Sequence, residues 1–397
     1  MPKQPLISSR EAAERLGVKV ETLYAYVSRG LIKAHHVQGL RGSRFHPGDV
    51  DTLAQRGRRA TKRSPLAVES AITRIDDGSF AYRGHDPLTL LGQFRFENVA
   101  ALLWDVEDWQ LADPWMPRSV AARSAADALA LLPAAASPLQ SITVASAVVA
   151  AHDELRADLS PASVRTTASR MIASIVTALG VASGATAVDM TMAARLAAAT
   201  GAESTKAALA ALDAALILLA DHELAASTMA ARTAAAFRAD PHAVVAAGLG
   251  ALAGAWHGGA SGAAEKLLRE VLSGVSVERA VADRVSGGGR VPGLGQFLYP
   301  LGDPRAPALF AAARRAAPGS AVHGVIDELL IVCDERGYPP PNVDLGLAAL
   351  SVGLDLVQGS GEAIFAVARM AGWVAHAMEE YASPSDLRPR AVYVGRR

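Results

Sequence analysis

Several short polar or glycine-rich stretches interrupt long runs of alanine and leucine, and they hold the residues able to do chemistry. In Gly254-Ala255-Trp256-His257-Gly258-Gly259-Ala260-Ser261-Gly262-Ala263 a histidine stands against paired glycines. Glycine has no Cβ, so a bulky ligand can approach the backbone there, and the next helix can begin with its N–H groups facing that ligand. Upstream lies Asp221-His222-Glu223. Downstream come a stretch from Pro292 to Ala306 carrying Gln296 and Arg305, then Pro341-Asn342-Val343-Asp344, then a run with Arg369 and His376, and finally Leu387-Arg388-Pro389-Arg390. A reaction that joins two carbonyl compounds through carbon needs a base for an α-proton, a donor to hold the enolate, and cations to hold an acidic partner. Each residue type is present, and the guanidinium fork matches a carboxylate bidentately. Taken singly, each residue also has a plainer explanation: His257 as an exposed residue in a helix–helix turn, the arginines as surface or interface ion-pair partners, Asp344 as a helix cap.

In this order and at these spacings the motifs resemble the citrate synthase family, from about Val68 to the end of the chain. The resemblance implies roles residue by residue. Asp344 aligns with the base that takes the methyl proton of acetyl-CoA. His257 aligns with the histidine that hydrogen-bonds the thioester oxygen as enolate character develops, and His222 with a histidine that binds oxaloacetate. Arg305, Arg369 and Arg388, the last supplied by a partner subunit, align with the arginines that clamp its carboxylates. A coenzyme contact is implied at Asn342. Tyr82-Arg83-Gly84-His85-Asp86-Pro87 and the run from Phe96 to Trp104 resemble the amino-terminal signature of bacterial members, with Glu97 and Trp104 as packing anchors. His85, beside a turn, reads as solvated.

Three positions depart from the family pattern. Gly293-Leu294-Gly295-Gln296 stands where the family usually has Gly-Phe-Gly-His, with the motif's spacing to Arg305 kept. That histidine polarises the ketone of oxaloacetate and helps protonate the new alkoxide. A glutamine amide still donates a hydrogen bond, but it does not titrate near neutral pH and is no general acid. Pro300 replaces a basic residue that meets a CoA phosphate in many members, although a Leu-Tyr-Pro-x-Gly-Asp-Pro-Arg variant is found in a subgroup with the same amino-terminal module. Arg290, after Gly287-Gly288-Gly289, is a charge available there, and the glycine run reads equally as a flexible loop. Leu345 stands in place of a more usual aromatic residue, which would enlarge the acyl pocket.

The elements that must position these groups read as helices. From about Ser119 to Arg238, apolar residues recur at three- and four-residue spacing, broken near Pro133, Pro138, Pro161, Gly180 and Gly201. Ser70 to Tyr82 alternates around Asp76-Asp77-Gly78, a hairpin signal. The 397 residues exceed one ordinary core, and 51% of them are apolar against 5% aromatic, which suits closely packed helices. Cys333, the single cysteine, excludes an internal disulfide and reads as a small buried hydrophobe. No apolar signal core or membrane span is seen, so a soluble, cytoplasmic protein is expected.

Charge divides the chain unevenly. Residues 1–63 hold 13 Lys and Arg against 5 Asp and Glu, a net of +8, which leaves −8 for the remainder of a neutral chain. Ser8 with Glu11 forms a capping-box signal, Gly17 ends the first helix, and a second follows over 21–29. Leu31 to Phe45 reads as a small wing bending at Gly39 and Gly42, and His46-Pro47-Gly48-Asp49-Val50 as a further helix start. This segment resembles the helix-turn-helix of the MerR type, which implies DNA contacts from Arg29, Lys33, Arg41 and Arg44. A structural appendage with a solvated basic face is the plainer alternative.

The expected fold is all-α: a winged helix-turn-helix domain over 1–55, a basic linker over 56–67, and citrate synthase-like large and small helical domains over 68–397, the small one over about 258–350. The expected activity is condensation of acetyl-CoA with oxaloacetate by a homodimer, with propionyl-CoA giving 2-methylcitrate as a close alternative. Acyl-CoA would be a co-substrate, with no permanently bound cofactor and no metal. The second reading, from a different class, is a ligand-sensing DNA-binding regulator with a weak or silent catalytic body.

Overall fold

The computed structural model describes residues 6–16, 23, 27, 32–35, 43–50, 68–76, 78–187, 189–254, 259–286, 288–385, 387 and 395. The chain divides into two compact units, Met1–Glu69 and Ser70–Arg397.

In the first unit, the helix Ser9–Leu16 starts where the sequence places it. The Glu11 carboxylate accepts from the Ser8 N–H at 2.8 Å, and the Ser8 hydroxyl accepts from the Glu11 N–H at 3.2 Å, which closes the capping box. Two short strands, Ile7–Ser8 and Arg44–Phe45, pair antiparallel beside it. The residue before the helix therefore also ends a strand, which the sequence did not signal. Ala12, Ala13, Leu23, Ile32, Phe45 and Val50 form a small core. Of the expected wing, the described residues show a bridge between His35 and Arg44. Its bend at Gly39 and Gly42 lies outside the described residues, as do Arg29 and Arg41 and most of the 21–29 helix.

The second unit opens with the expected hairpin, Thr73–Asp76 against Ser79–Tyr82. Helices make up almost all the rest. Pro138, Pro161 and Pro241 each stand at a helix start, where the missing N–H costs nothing. Gly201 ends a helix at φ +79°, but Gly180 does not break its helix. It lies inside Pro161–Ala182, where an added Cβ would make only ordinary contact with Ala198, at 3.6 Å. The centre of the unit is the helix Ser360–Ala382, buried along most of its length. Gly248 on the crossing helix Pro241–Leu252 admits the Trp373 indole, which a Cβ there would meet at 2.5 Å. Glu97 and Trp104 are both buried; the Glu97 carboxylate accepts from the Met192 N–H at 2.7 Å, and the Trp104 indole N–H donates to the Ala371 carbonyl at 2.9 Å. His85 is exposed, with its ring edge-on to Trp109.

A second apolar cluster gathers residues from Ala264 to Val352, among them Leu267, Ile326, Leu329, Cys333 and Leu345. Cys333 is therefore the buried hydrophobe expected. Among the described residues no helix is long and apolar enough to cross a membrane, and no group of histidine, cysteine and carboxylate side chains could hold a metal ion.

Candidate active site

Two separated islands are strapped together first. The Gly295 N–H donates to the Pro340 carbonyl at 2.8 Å, and the Asn342 N–H to the Gly293 carbonyl at 2.9 Å. Gly293, at φ +81°, packs on the Leu345 backbone so closely that a Cβ would reach its nitrogen at 3.1 Å. Only glycine fits that approach and that φ. Asn342 caps the helix Val343–Gly353, accepting from the Asp344 N–H at 2.9 Å, and its amide donates to the Gly295 carbonyl at 2.9 Å. Its side chain is thus committed to the strap, and it lines neither cavity described below.

This strap places Gln296, Arg305 and Asp344 on one cavity of about 370 Å3, whose other walls include His222, Phe365 and Arg369. Five residues singled out from sequence therefore converge. Arg305 is buried and held by a bidentate pair, its Nε and Nη2 donating to Asp303 at 2.9 and 2.8 Å. Asp303 also accepts the Val343 N–H at 3.1 Å, which ties this pair to the helix bearing Asp344. Burial works against the charge on Arg305, and Asp303 more than restores it. Two N–H groups on Nη1 and one on Nη2 remain beyond the Asp303 pair.

Arg369 is also buried, one face on the Phe365 ring at 4.7 Å and Nε donating to the Leu219 carbonyl at 2.9 Å. Burial pulls its pKa down to about 10, with Asp221 opposing. The end-on edge of this guanidinium, Nη1 with Nη2, suits a carboxylate fork. Burial, and then the charges of Arg305 and Arg369, hold His222 far below the ordinary histidine range, so its ring is neutral. Its Nε2 lies 2.9 Å from the Tyr299 hydroxyl. Burial pushes Asp344 up to about 6, Arg305 pulling down and Asp303 pushing up.

Behind His222 runs a buried polar chain. Arg232 can only donate, so at 2.8 Å it makes His376 Nδ1 an acceptor and turns Nε2–H toward Asp221, 3.3 Å away. Arg232 is in turn paired with Glu379 and Glu380. Asp221 accepts from the Thr73 hydroxyl and from the Glu223 N–H at 3.1 Å. Burial alone would raise its carboxyl, but His376, Arg369 and Thr73 hold it below the ordinary range. Tyr299, Asp303 and His376 were given no role from sequence, though Asp303 stands inside the Asp-Pro-Arg motif and His376 in the run with Arg369.

His257 and Arg388 lie outside the described residues. Arg290 is exposed on a second cavity of about 700 Å3, which shares Gln296 and Phe297 with the first. Leu345 does not enlarge an acyl pocket: it is fully buried in the second core. In a helix, successive residues point about 100° apart, so a cavity-facing Asp344 turns Leu345 inward. In the first unit Lys33 is exposed, whereas Arg44 is half-buried with no hydrogen-bond partner at Nε among the described residues.

A model described as citrate synthase, C-terminal domain, matches residues 62–390, and one described as helix-turn-helix domain matches residues 6–58. Citrate synthase 2 of Bacillus subtilis is 32% identical over 161 residues, 40% of this chain and 43% of that protein. Citrate synthase of Haloferax volcanii is 33% identical over 166 residues, 40% and 42% of the two chains. These alignments span about two-fifths of each relative's length. Among solved structures, a ternary complex of carboxymethyl coenzyme A and oxaloacetate with citrate synthase from Thermoplasma acidophilum superposes with a TM-score of 0.70 at 24% identity, covering 85% of this chain and 96% of that one. Citrate synthase from Thermotoga maritima gives 0.68 at 25% identity, with 84% and 94% covered. The fold is thus that of these enzymes, the amino-terminal segment is a helix-turn-helix domain, and the chain belongs to the citrate synthase family.

Proposed function

We propose that this protein condenses an acyl-CoA, acetyl-CoA foremost, with oxaloacetate to give citrate and CoA. The observation that carries the proposal is the pair of buried guanidinium groups, Arg305 and Arg369, lining one cavity together with neutral His222. A buried cation is costly unless paired. Asp303 neutralises Arg305, but Arg369 has no carboxylate in hydrogen-bond contact among the described residues. A small dianionic ketoacid would supply the missing charge and take both forks. Asp344, raised to about 6, is then ionised at neutral pH and basic enough to take the acyl donor's α-proton. The Gln296 amide would donate to the ketone oxygen as it becomes an alkoxide. His257 would hold the thioester oxygen, and Arg388 of a partner subunit would complete the clamp, as the family pattern implies. The ligands of the Thermoplasma complex, a CoA derivative and oxaloacetate, are of the classes this site would take.

Acyl-CoA is on this reading a co-substrate of a cytoplasmic homodimer with no resident cofactor; Arg290, exposed on the larger cavity, is its proposed charged contact, whereas Asn342 serves the strap. Propionyl-CoA, giving 2-methylcitrate, is the alternative donor. Steady-state CoA release with oxaloacetate and either thioester tests the proposal: turnover dependent on both substrates supports it, and the better thioester names the donor. No release with either, at saturating oxaloacetate, would overturn it.

The helix-turn-helix match over 6–58, with the +8 charge of residues 1–63, favours a second reading in which this unit binds DNA and the condensing body senses ligand. Lys33, Arg44, Arg29 and Arg41 are the proposed contacts. A mobility shift on the protein's own upstream DNA that weakens steeply with salt would support it; none at low salt would rule it out.

A further inference from the structure

We infer that Tyr299 is a positioning residue for His222: its hydroxyl donates to Nε2 across 2.9 Å, which fixes Nδ1 as the only N–H of the ring and the donor left for a ligand. The two side chains line neighbouring cavities. His222 lines the smaller cavity with the two arginines, and Tyr299 lines the larger one with Arg290 and Gln296. The hydrogen bond between them therefore joins the linings of the two cavities.

The direction of that bond follows from chemistry. A neutral imidazole has one N–H and one lone pair. Its sp2 nitrogen accepts better than a phenol oxygen, and a phenol is the stronger acid of the two N–H and O–H donors, so O–H to Nε2 is the favoured arrangement. Burial and the nearby Arg305 and Arg369 keep His222 from taking a second proton, so it cannot escape the choice by donating from both nitrogens. Tyr299 itself stays protonated, its pKa pushed up to about 12 by burial. The phenol is held in place from several sides. The Tyr299 N–H donates to the Gln296 carbonyl at 2.9 Å, the Tyr299 carbonyl accepts from the Gly302 N–H at 3.0 Å, and the Arg305 guanidinium lies over its ring at 5.6 Å. His222 Nε2 is its one hydroxyl contact among the described residues.

A hydrogen bond received at Nε2 makes Nδ1–H a stronger donor, because a chain of hydrogen bonds polarises along its length. Such reinforcement matters here because Gln296 offers an amide donor where a titratable ring would otherwise help. The identity of the ligand oxygen that Nδ1–H meets rests on the condensation reading above; the tautomer of His222 does not.

The test is ring 15N chemical shifts of His222 in histidine-labelled protein, assigned by loss of its signals in His222→Gln, together with oxaloacetate affinity by calorimetry. The wild type should show a protonated Nδ1 and an unprotonated, hydrogen-bonded Nε2. In Tyr299→Phe, which keeps the ring and its packing, the Nε2 signal should move to that of an unbonded nitrogen, and oxaloacetate affinity should fall about tenfold. A protonated Nε2 in the wild type, or unchanged ring shifts in Tyr299→Phe, would overturn the assignment. The expected shifts with no oxaloacetate binding by the wild type would instead sink the condensation reading and leave the tautomer assignment standing.

Discussion

Replacing Asp344 with asparagine should stabilise the folded protein at neutral pH while removing its turnover. The carboxyl rises from 3.8 to about 6 on folding, chiefly because burial disfavours the anion. Each pKa unit is worth about 1.4 kcal/mol, so keeping Asp344 ionised costs the fold about 3 kcal/mol at pH 7.5. The sign follows from the upward shift: the penalty is absent below 3.8, grows as pH rises, and is complete above about 6. Asp344 also sits in the first turn of its helix, where a negative charge gains about 0.3–1 kcal/mol from the helix dipole. Its carboxylate makes no hydrogen bond among the described residues, so an amide of the same shape forfeits nothing else. The net gain in Asp344→Asn is then about 2 kcal/mol at pH 7.5, shrinking to about 1 kcal/mol at pH 5. Urea unfolding of both proteins at the two pH values measures this, and CoA release measures the lost base. An Asp344→Asn protein no more stable than wild type at pH 7.5, or one that gains more at pH 5, would refute the claim that burial holds this carboxylate in an unfavourable ionised state.

Other substitutions probe the remaining parts. Gln296→His restores a titratable donor to the cavity and should raise the rate of condensation by about 100-fold or more, read as kcat for CoA release. Arg369→Leu should weaken oxaloacetate binding by about 3 kcal/mol, seen in calorimetry, while thermal unfolding shows the fold unharmed or firmer, because a buried cation has gone. Gly372→Ala would drive a Cβ into the Asp221 carboxylate and the Ala220 carbonyl. It should cost about 3 kcal/mol of stability and disturb His222 with its neighbour Asp221, lowering both the urea midpoint and ketoacid affinity.

Much of the cavity was legible because its residues come in short motifs whose neighbours are glycines, prolines or caps. Pro341-Asn342-Val343-Asp344 announces a helix start, and the fold puts Asp344 in that first turn with Asn342 as its cap. Gly293 and Gly295 signal a backbone that must come close to another, and they are where the 292–305 stretch is strapped to 339–342. The contacts that sequence could not show all cross long distances along the chain. Tyr299 meets His222 and His376 meets Asp221 only after the helices have packed, and no spacing records either pair. Leu345 misled because a residue beside a cavity-lining one in sequence points elsewhere on a helix. Gly180 misled because one glycine in a helix costs only about 1 kcal/mol, so the helix runs through it, whereas the same letter at Gly201 ends one. In the first unit the capping box was plain, whereas the pairing of Ile7–Ser8 with Arg44–Phe45 was not, because two-residue strands carry no alternation to read.

The central claim is that a carbon–carbon bond forms in the cavity between Arg305, Arg369 and Asp344. The most direct measurement is 13C NMR of the wild-type protein with methyl-13C acetyl-CoA and oxaloacetate, with Asp344→Asn as the control. The methyl signal should become a citrate methylene in the wild type and stay a thioester methyl in the variant. Hydrolysis to free acetate without citrate, or citrate formed equally well by Asp344→Asn, would contradict it.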